Sequence, residues 1–205
     1  MALTISVVML KGGVGKTTTA VALAEAASGA GPVVLVDADP MGAAVRWSVL
    51  ADQAEHPLAA TVIGLPASDL PRRIGAIARD AAVIVIDSPP PGALHIARGA
   101  MQVADIVVMP TPPGMADLDR VRPTVGEAQG SNVPAYAVLT MTRPTADREA
   151  ARAALAEWGV PAFDTELPLT VQVSRNYGRG VAGPLALYGV NLLSEVLDVI
   201  EGGSR

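Results

Sequence analysis

A short glycine-rich segment carries the clearest chemical signal in the chain. It reads Lys11-Gly12-Gly13-Val14-Gly15-Lys16-Thr17-Thr18, and it lies between the apolar run 5–9 and the alanine-rich stretch 19–27. Glycines allow successive backbone N–H groups to curl around phosphate oxygens, and the N-terminus of a following helix adds the positive end of its dipole. We therefore predict a phosphate-binding loop in which Lys16 reaches the β- and γ-phosphates and the Thr17 hydroxyl is a ligand of Mg²⁺.

The two ends of this loop carry the only two lysines of the chain, although Lys and Arg together number 15. An ordinary Walker A motif has a glycine five positions before Gly15, where this sequence has Leu10, and a second lysine, Lys11, begins the loop instead. A compact ammonium group suits a single phosphate oxygen in a tight loop better than a planar guanidinium does. The alternative is a glycine-rich turn between a strand and a helix that binds no ligand.

The pattern K-G-G-x-G-K-[ST] is the deviant Walker A motif, and through it the sequence resembles the ParA/MinD family of ATPases. The resemblance implies that Lys11 reaches the nucleotide phosphates of a partner subunit, so that a homodimer sandwiches two ATP molecules and both lysines serve catalysis. It also implies that Thr18 contacts the α-phosphate. Such proteins often carry an acidic residue at the dimer face where this chain has Asp117, although the helix dipole alone would favour a carboxylate there.

Three aspartates follow apolar runs. Asp87 directly follows the run 83–86, and Asp37 and Asp39 end another such run. A carboxylate at the end of a buried strand beside a phosphate loop holds Mg²⁺ directly or through a water, and we assign this role to Asp87. The resemblance implies that Asp39 positions or activates the attacking water and that Asp37 lies close to the metal, with Met41 standing where the family usually has glutamine. The alternatives are a turn-capping role for Asp87 and an N-cap role for Asp37.

The order of the apolar runs and helical patterns predicts an α/β fold of the P-loop NTPase type, a doubly wound, mostly parallel sheet with helices on both faces. Continuous apolar strands indicate burial on both faces of such a sheet, and its ligands bind at the carboxyl ends of the strands. We expect residues 1–205 to form a single domain. The predicted strands are 5–9, 33–36, 83–86, 106–109 and 136–140; the predicted helices are 19–27, 42–51, 69–78, 93–103, 117–129, 146–158 and 184–200.

The composition excludes several classes of site and protein. Cysteine is absent, which excludes disulfides and a cysteine-ligated iron–sulfur cluster. Charges or prolines interrupt every apolar run before it reaches the length of a membrane span. The first four residues lead directly into the first predicted strand, so we expect no signal peptide. The net charge of −5 means that contact with nucleic acid would require a local basic patch. We therefore expect a cytoplasmic protein without a membrane partner.

The segment from Leu167 to Gly180 resembles a diverged form of a family motif, I-P-R-N … F-G-K, that contacts adenine and continues into a DNA-facing surface. The resemblance implies that adenine lies near the backbone of Pro168. It also makes Arg175 and Arg179 candidates for DNA-backbone contacts, with Arg143, Arg148 and Arg152 as further candidates nearby. The alternative for each arginine is an ordinary solvated surface position.

Together these features predict a ParA-like partition ATPase that uses ATP and Mg²⁺. The resemblance implies a dimer that binds nonspecific DNA and associates with the nucleoid. This dimer hydrolyses ATP slowly until a ParB-like centromere-binding partner stimulates it. The cycle of binding and release segregates a plasmid, a chromosome or another cargo. One alternative is a MinD-like switch that positions proteins at a membrane, but the C-terminal helix is acidic, and anionic lipids would repel it. Another is a metabolic ligase or kinase, although the sequence shows no dedicated substrate pocket.

Overall fold

A seven-stranded parallel sheet forms the centre of the molecule. The computed structural model describes residues 2–203. Its strands are β1 (Leu3–Val7), β2 (Val33–Asp37), β3 (Thr61–Gly64), β4 (Val83–Asp87), β5 (Ile106–Thr111), β6 (Ala135–Thr142) and β7 (Ala162–Pro168). Their spatial order is β3-β2-β4-β1-β5-β6-β7, and every neighbouring pair is parallel. The strand before the glycine-rich loop therefore lies in the middle of the sheet.

Helices cover both faces of this sheet, which confirms the predicted doubly wound α/β architecture. They are α1 (Lys16–Ala27), α2 (Ala43–Gln53), α3 (Leu70–Ile77), α4 (Leu94–Gln102), α5 (Met115–Leu118), α6 (Val121–Gly130), α7 (Ala146–Glu157), α8 (Val171–Ser174) and α9 (Pro184–Gly203). One hydrophobic layer contains residues of α1, α2 and α9, and two further layers on the opposite face contain residues of α3, α4, α6 and α7.

Strand β4 illustrates why continuous apolar runs became central strands. Its side chains alternate between layers: Val83 and Val85 join the layer of α1, whereas Ile84 and Ile86 join the layer of α3. All five residues of β4 are buried. A strand with both faces covered needs apolar side chains at successive positions, as the sequence predicted.

The sequence missed two strands and misjudged one helix. The missed strands, β3 and β7, are the two edges of the sheet and are only partly buried, so neither has the continuous apolar character of a central strand. The helix predicted over 117–129 is two helices, α5 and α6, with a break at Asp119 and Arg120. Strand β1 ends at Val7, so Val8 and Met9 lead into the loop as buried, non-strand residues.

The register of the central strands brings the acidic strand ends to one level. Asp37 pairs with Asp87 across β2 and β4, and Val7 pairs with Asp87 across β1 and β4. The loop that follows β1 therefore opens at the same edge of the sheet as both aspartates, as the rule for parallel sheets predicts.

The C-terminal helix α9 packs closely along α1. Gly189 makes this approach possible, because a Cβ atom there would collide with the carbonyl group of Ala22. The Thr19 hydroxyl and the Tyr188 hydroxyl lie 3.0 Å apart and share a buried hydrogen bond between the two helices. Among the described residues, no helix has both the length and the apolar character needed to span a membrane.

Candidate functional site

The glycine-rich loop has the backbone of a phosphate cradle. Gly13 and Gly15 have φ values of 72° and 94°, in the left-handed region that favours glycine. Gly15 is also the residue immediately before α1, so the loop ends at the N-terminus of a 12-residue helix. The Thr140 hydroxyl at the end of β6 donates a 2.8 Å hydrogen bond to the Val14 carbonyl and so braces the loop from the side.

Lys16 lies inside the loop. Its Nζ donates a 2.8 Å hydrogen bond to the Lys11 carbonyl, and only 8% of the residue is exposed. Burial lowers the pKa of Lys16, while the charges of Asp87 and Asp39 oppose this change. The ammonium group is therefore held where phosphate oxygens would enter the cradle.

Lys11 lies at the rim of the same loop, and its side chain contacts α5. Its Nζ is 2.6 Å from the Asp117 Oδ1 atom on α5, and its side chain remains about one third exposed. The two lysines thus have different environments, because Lys16 is buried and Lys11 is partly exposed at the edge of the loop. Different roles for the two residues would require such different environments.

Thr17 and Asp87 form the centre of the predicted metal site. The Thr17 hydroxyl donates a 2.7 Å hydrogen bond to Asp87 Oδ2, and Asp87 is 1% exposed. Burial raises the pKa of Asp87 to about 7, while the hydrogen bond from Thr17 lowers it. Asp87 Oδ1 and the neighbouring Ser88 Oγ are buried and have no hydrogen-bond partner among residues 2–203. A hard cation with its waters would satisfy such oxygen atoms, so the residues fit Mg²⁺.

Asp37 is also buried, but both of its oxygens already have partners. Oδ1 accepts a 3.1 Å hydrogen bond from the Asp39 N–H and Oδ2 accepts a 3.0 Å bond from the Val45 N–H near the start of α2. Burial raises its pKa and these backbone bonds lower it. The contacts support the alternative that Asp37 organises the turn between β2 and α2.

Asp39 lies in that turn, half-buried at the same edge of the sheet. Its Oδ1 accepts a 2.9 Å hydrogen bond from the Met41 N–H, and its charge acts on Lys16. No hydrogen bond from residues 2–203 reaches Oδ2, so this carboxylate oxygen can contact a water. Met41 itself is 82% exposed and makes no side-chain hydrogen bond to the site.

A cavity of about 150 Å³ lies beside the start of α1 and contains Thr18 and Pro168, two residues that the sequence assigned to nucleotide binding. Its lining also includes Val173, Ser174 and Tyr177 of the segment 167–180, and Trp47 and Met141, which the sequence did not assign. Met141 has a φ of 53°, which is uncommon for a residue with a side chain, at an irregularity in the pairing of β6 with β7. No sequence pattern indicated this conformation.

Arg175 and Arg179 line a second, open groove of about 630 Å³ at the start of α9. Both are exposed, and no carboxylate of the described residues lies within ion-pair distance of either side chain. Arg143, Arg148 and Arg152 do not line this groove, and the last two form ion pairs with Glu166. Their role as further contacts to DNA stays a prediction.

Comparison with known proteins identifies the family. Residues 5–182 match the model of the CobQ/CobB/MinD/ParA nucleotide binding domain. A "Maintenance of carboxysome distribution protein A" from Gloeobacter kilaueensis is 38% identical over 159 residues, which cover 75% of this chain and 71% of that protein.

Two solved structures have a similar fold at low sequence identity. A plasmid partition protein from Borrelia burgdorferi bound to AMPPNP has a TM-score of 0.75 and 17% identity, covering 97% of this chain and 99% of its own. A cobyrinic acid a,c-diamide synthase from Mycobacterium smegmatis with ADP and magnesium has a TM-score of 0.77 and 18% identity, covering 99% and 97%. The fold alone therefore does not choose between positioning ATPases and ligases. The family match, supported by the deviant Walker A loop and its geometry, shows that this chain belongs to the CobQ/CobB/MinD/ParA family of nucleotide-binding domains.

Proposed function

We propose that this chain is a ParA-type positioning ATPase, which dimerises with ATP, binds nonspecific DNA and hydrolyses ATP when a cargo-bound partner stimulates it. One observation carries the proposal: the phosphate loop has a lysine on each side, Lys16 buried within it and Lys11 at its rim. Lys16 serves the nucleotide of its own subunit. Lys11 is then available for the nucleotide of a second copy, so that two ATP molecules are enclosed in a homodimer.

Different residues of the loop and its surroundings bind Mg²⁺ and the parts of ATP. The backbone of Gly12, Gly13, Val14 and Gly15 surrounds the phosphates, Thr18 contacts the α-phosphate, and Pro168 lies next to adenine. Thr17 and Asp87 hold Mg²⁺, which neutralises phosphate charge when it is bound. The two oxygens of Asp37 already accept backbone hydrogen bonds. Asp37 therefore acts on the metal through a water, or stabilises the turn between β2 and α2.

Asp39 is the residue that we assign to hydrolysis. A water must be oriented in line with the γ-phosphorus and must pass its proton to an acceptor. Asp39 belongs to the same edge of the sheet as Asp87 and Lys16, and it is less buried than either. A carboxylate at this position can accept a proton from an attacking water. Slow basal turnover follows if a partner is needed to bring Asp39 and the water into line.

The groove of Arg175 and Arg179 is the part of the surface that we assign to DNA. The chain is acidic overall, so binding requires a local patch, and a dimer doubles that patch. The segment 171–180 lines this groove on one side and the cavity beside Thr18 on the other. A nucleotide in the cavity can therefore change the groove, which supports DNA binding that depends on ATP and an association with the nucleoid.

One of the similar proteins bears on the identity of the cargo. The relative that is 38% identical is named for carboxysome distribution, which favours a large protein assembly over a plasmid or a chromosome as cargo. In either case the partner resembles ParB in role, because it must bind the cargo and also stimulate the ATP-bound dimer.

A membrane-positioning switch of the MinD type is the alternative, and the C-terminal helix gives it less support. Helix α9 buries one apolar face in the core, through Leu185, Tyr188, Leu192 and Val196. Its exposed surface includes Asp198 and Glu201, which anionic lipids would repel.

Co-sedimentation with plasmid-length DNA tests the proposed function. The purified protein is mixed with DNA and Mg²⁺ in the presence of ATP, ADP or no nucleotide, at low and at moderate salt. We expect co-sedimentation only with ATP, and weaker binding at the higher salt concentration. An ATP-dependent dimer that binds no DNA in any state would overturn the DNA component and would favour a protein or membrane surface as the track.

A further inference from the structure

Two aromatic side chains meet at the cavity beside Thr18. The rings of Trp47 and Tyr177 are 5.3 Å apart between centroids and are inclined by 61°, an edge-to-face contact. Trp47 is only 2% exposed, whereas Tyr177 is 48% exposed. The pair therefore has a fixed, buried member and a member with a large part of its surface available to a ligand.

The buried member is held from two directions. Trp47 lies on α2, and its Nε1 donates a 2.8 Å hydrogen bond to the Arg179 carbonyl on the segment that carries Tyr177. Gly178, with a φ of 73°, lets this segment press against α2, since a Cβ atom there would lie 2.9 Å from Leu50 Cβ. These contacts hold the segment that carries Tyr177 against α2.

The cavity itself suits a flat, uncharged ring system. Its volume of about 150 Å³ is smaller than the roughly 300–1,000 Å³ of sites that enclose a whole drug-sized ligand. None of the residues that line it is charged, and Thr18 and Pro168 are among them. Thr18 directly follows the loop residues that surround the phosphates, so a base attached to those phosphates through its ribose can reach this cavity.

We propose that Tyr177 is the residue on which the base of the bound nucleotide stacks, and that Trp47 is a positioning residue that holds the Tyr177 ring in place. This inference rests on the proposed binding of a nucleotide at the phosphate loop. Stacking on an aromatic ring tolerates different bases, because every base has a π-face. The cavity has no carboxylate to accept hydrogen bonds from the N1–H and N2 amino groups of guanine. A preference between bases therefore comes from hydrogen bonds to the backbone rather than from stacking.

Binding of Mg²⁺-ATP and of Mg²⁺-tripolyphosphate by the full chain separates the base from the phosphates. Calorimetry gives both dissociation constants for the wild type, Tyr177→Leu and Tyr177→Phe. We expect Tyr177→Leu to weaken ATP about tenfold, as loss of base stacking commonly does, and to leave tripolyphosphate unchanged. Tyr177→Phe keeps the ring and should bind ATP as the wild type does. Leu187→Ala removes an exposed apolar side chain outside the cavity and is the matched control.

Trp47 offers a second readout, because the chain has only one other tryptophan, Trp158. In a Trp158→Phe background, ATP should change the emission of Trp47 and tripolyphosphate should not. Equal loss of ATP and tripolyphosphate affinity in Tyr177→Leu would overturn the inference, as would unchanged ATP affinity. The same Tyr177 effect without any DNA co-sedimentation would leave the inference standing and would overturn only the DNA-binding part of the proposed function.

Discussion

Lys11 and Asp117 form an ion pair within one protomer, with Lys11 Nζ 2.6 Å from Asp117 Oδ1. Asp117 lies on α5, a four-residue helix separated from α6 by the break at Asp119 and Arg120. In this conformation Lys11 is engaged by its own chain at the outer edge of the phosphate loop. A role for Lys11 in a partner's nucleotide site therefore requires this pair to open.

Lys11→Ala should keep most of the affinity for ATP and lose ATP-dependent dimerisation. Loss of a desolvated charge contact across an interface commonly costs about 2 kcal/mol or more, so the dimer should weaken about 30-fold or more. Light scattering with and without ATP measures the dimer, and Lys16→Ala is the control that should lose nucleotide binding itself. An unchanged dimer would show that Lys11 has no role across the interface.

Asp117→Asn should promote dimerisation by releasing Lys11. Both side chains are partly exposed, and such pairs contribute roughly 0–1 kcal/mol, so we expect the ATP concentration at half-maximal dimerisation to fall only about two- to fivefold. Sedimentation velocity across an ATP titration measures this concentration. A higher requirement for ATP would mean that Asp117 supports the dimer rather than restraining Lys11.

Asp39→Ala should bind ATP and dimerise but remain closed. Removing a general base commonly costs about 100-fold or more in rate, and the turnover of ATP should fall by at least that factor. Phosphate release and light scattering on the same samples distinguish a lost chemical step from a lost dimer. Wild-type turnover in this variant would remove Asp39 from the catalytic residues.

Asp87→Asn should make the metal-free protein more stable at pH 8 while weakening its binding of Mg²⁺-ATP. Burial raises the pKa of Asp87 to about 7 from an ordinary value of 3.8, so the folded protein holds this proton more tightly than the unfolded chain does. The stability from this group is fully present below about pH 4 and is lost as the pH rises through about 7. The stability of the variant should therefore fall less with rising pH than the stability of the wild type. It should still fall somewhat, because burial also raises the pKa of Asp37.

Thermal unfolding in EDTA at several pH values between 5 and 8 measures this effect. The difference between Asp87→Asn and the wild type should grow with pH and should amount to a few degrees at pH 8. A constant difference across this range would mean that Asp87 does not titrate there. Added Mg²⁺ should stabilise the wild type more than the variant.

Replacing Arg175 and Arg179 together by alanine should weaken ATP-dependent DNA binding at every sequence and should make it less sensitive to salt. Each lost phosphate contact lowers the slope of log K against log salt by about 1. Arg79→Ala is the matched control, because Arg79 is exposed and follows α3 on the opposite face of the sheet. If Arg79→Ala has half the effect of the double variant, in proportion to the one charge removed against two, the binding depends on overall charge rather than on the groove.

The central strands and the loop could be predicted because their signals are local. Residues 83–86 are apolar at every position, and a strand buried on both faces requires this pattern. The edge strand Thr61–Gly64 escaped prediction because it is only partly buried and short, so its side chains do not need to be continuously apolar. The break between α5 and α6 escaped because both sides of it keep a helical pattern.

The sequence by itself determined the phosphate loop, the family and the acidic strand ends, because each rests on residue types at short, fixed spacings. Only the tertiary structure placed Lys11 against Asp117, Thr17 against the buried Asp87, and Trp47 against Tyr177. The residues of these three pairs are 106, 70 and 130 positions apart in the sequence. No local pattern encodes such pairs, because they arise when separate helices and loops pack at one edge of a sheet.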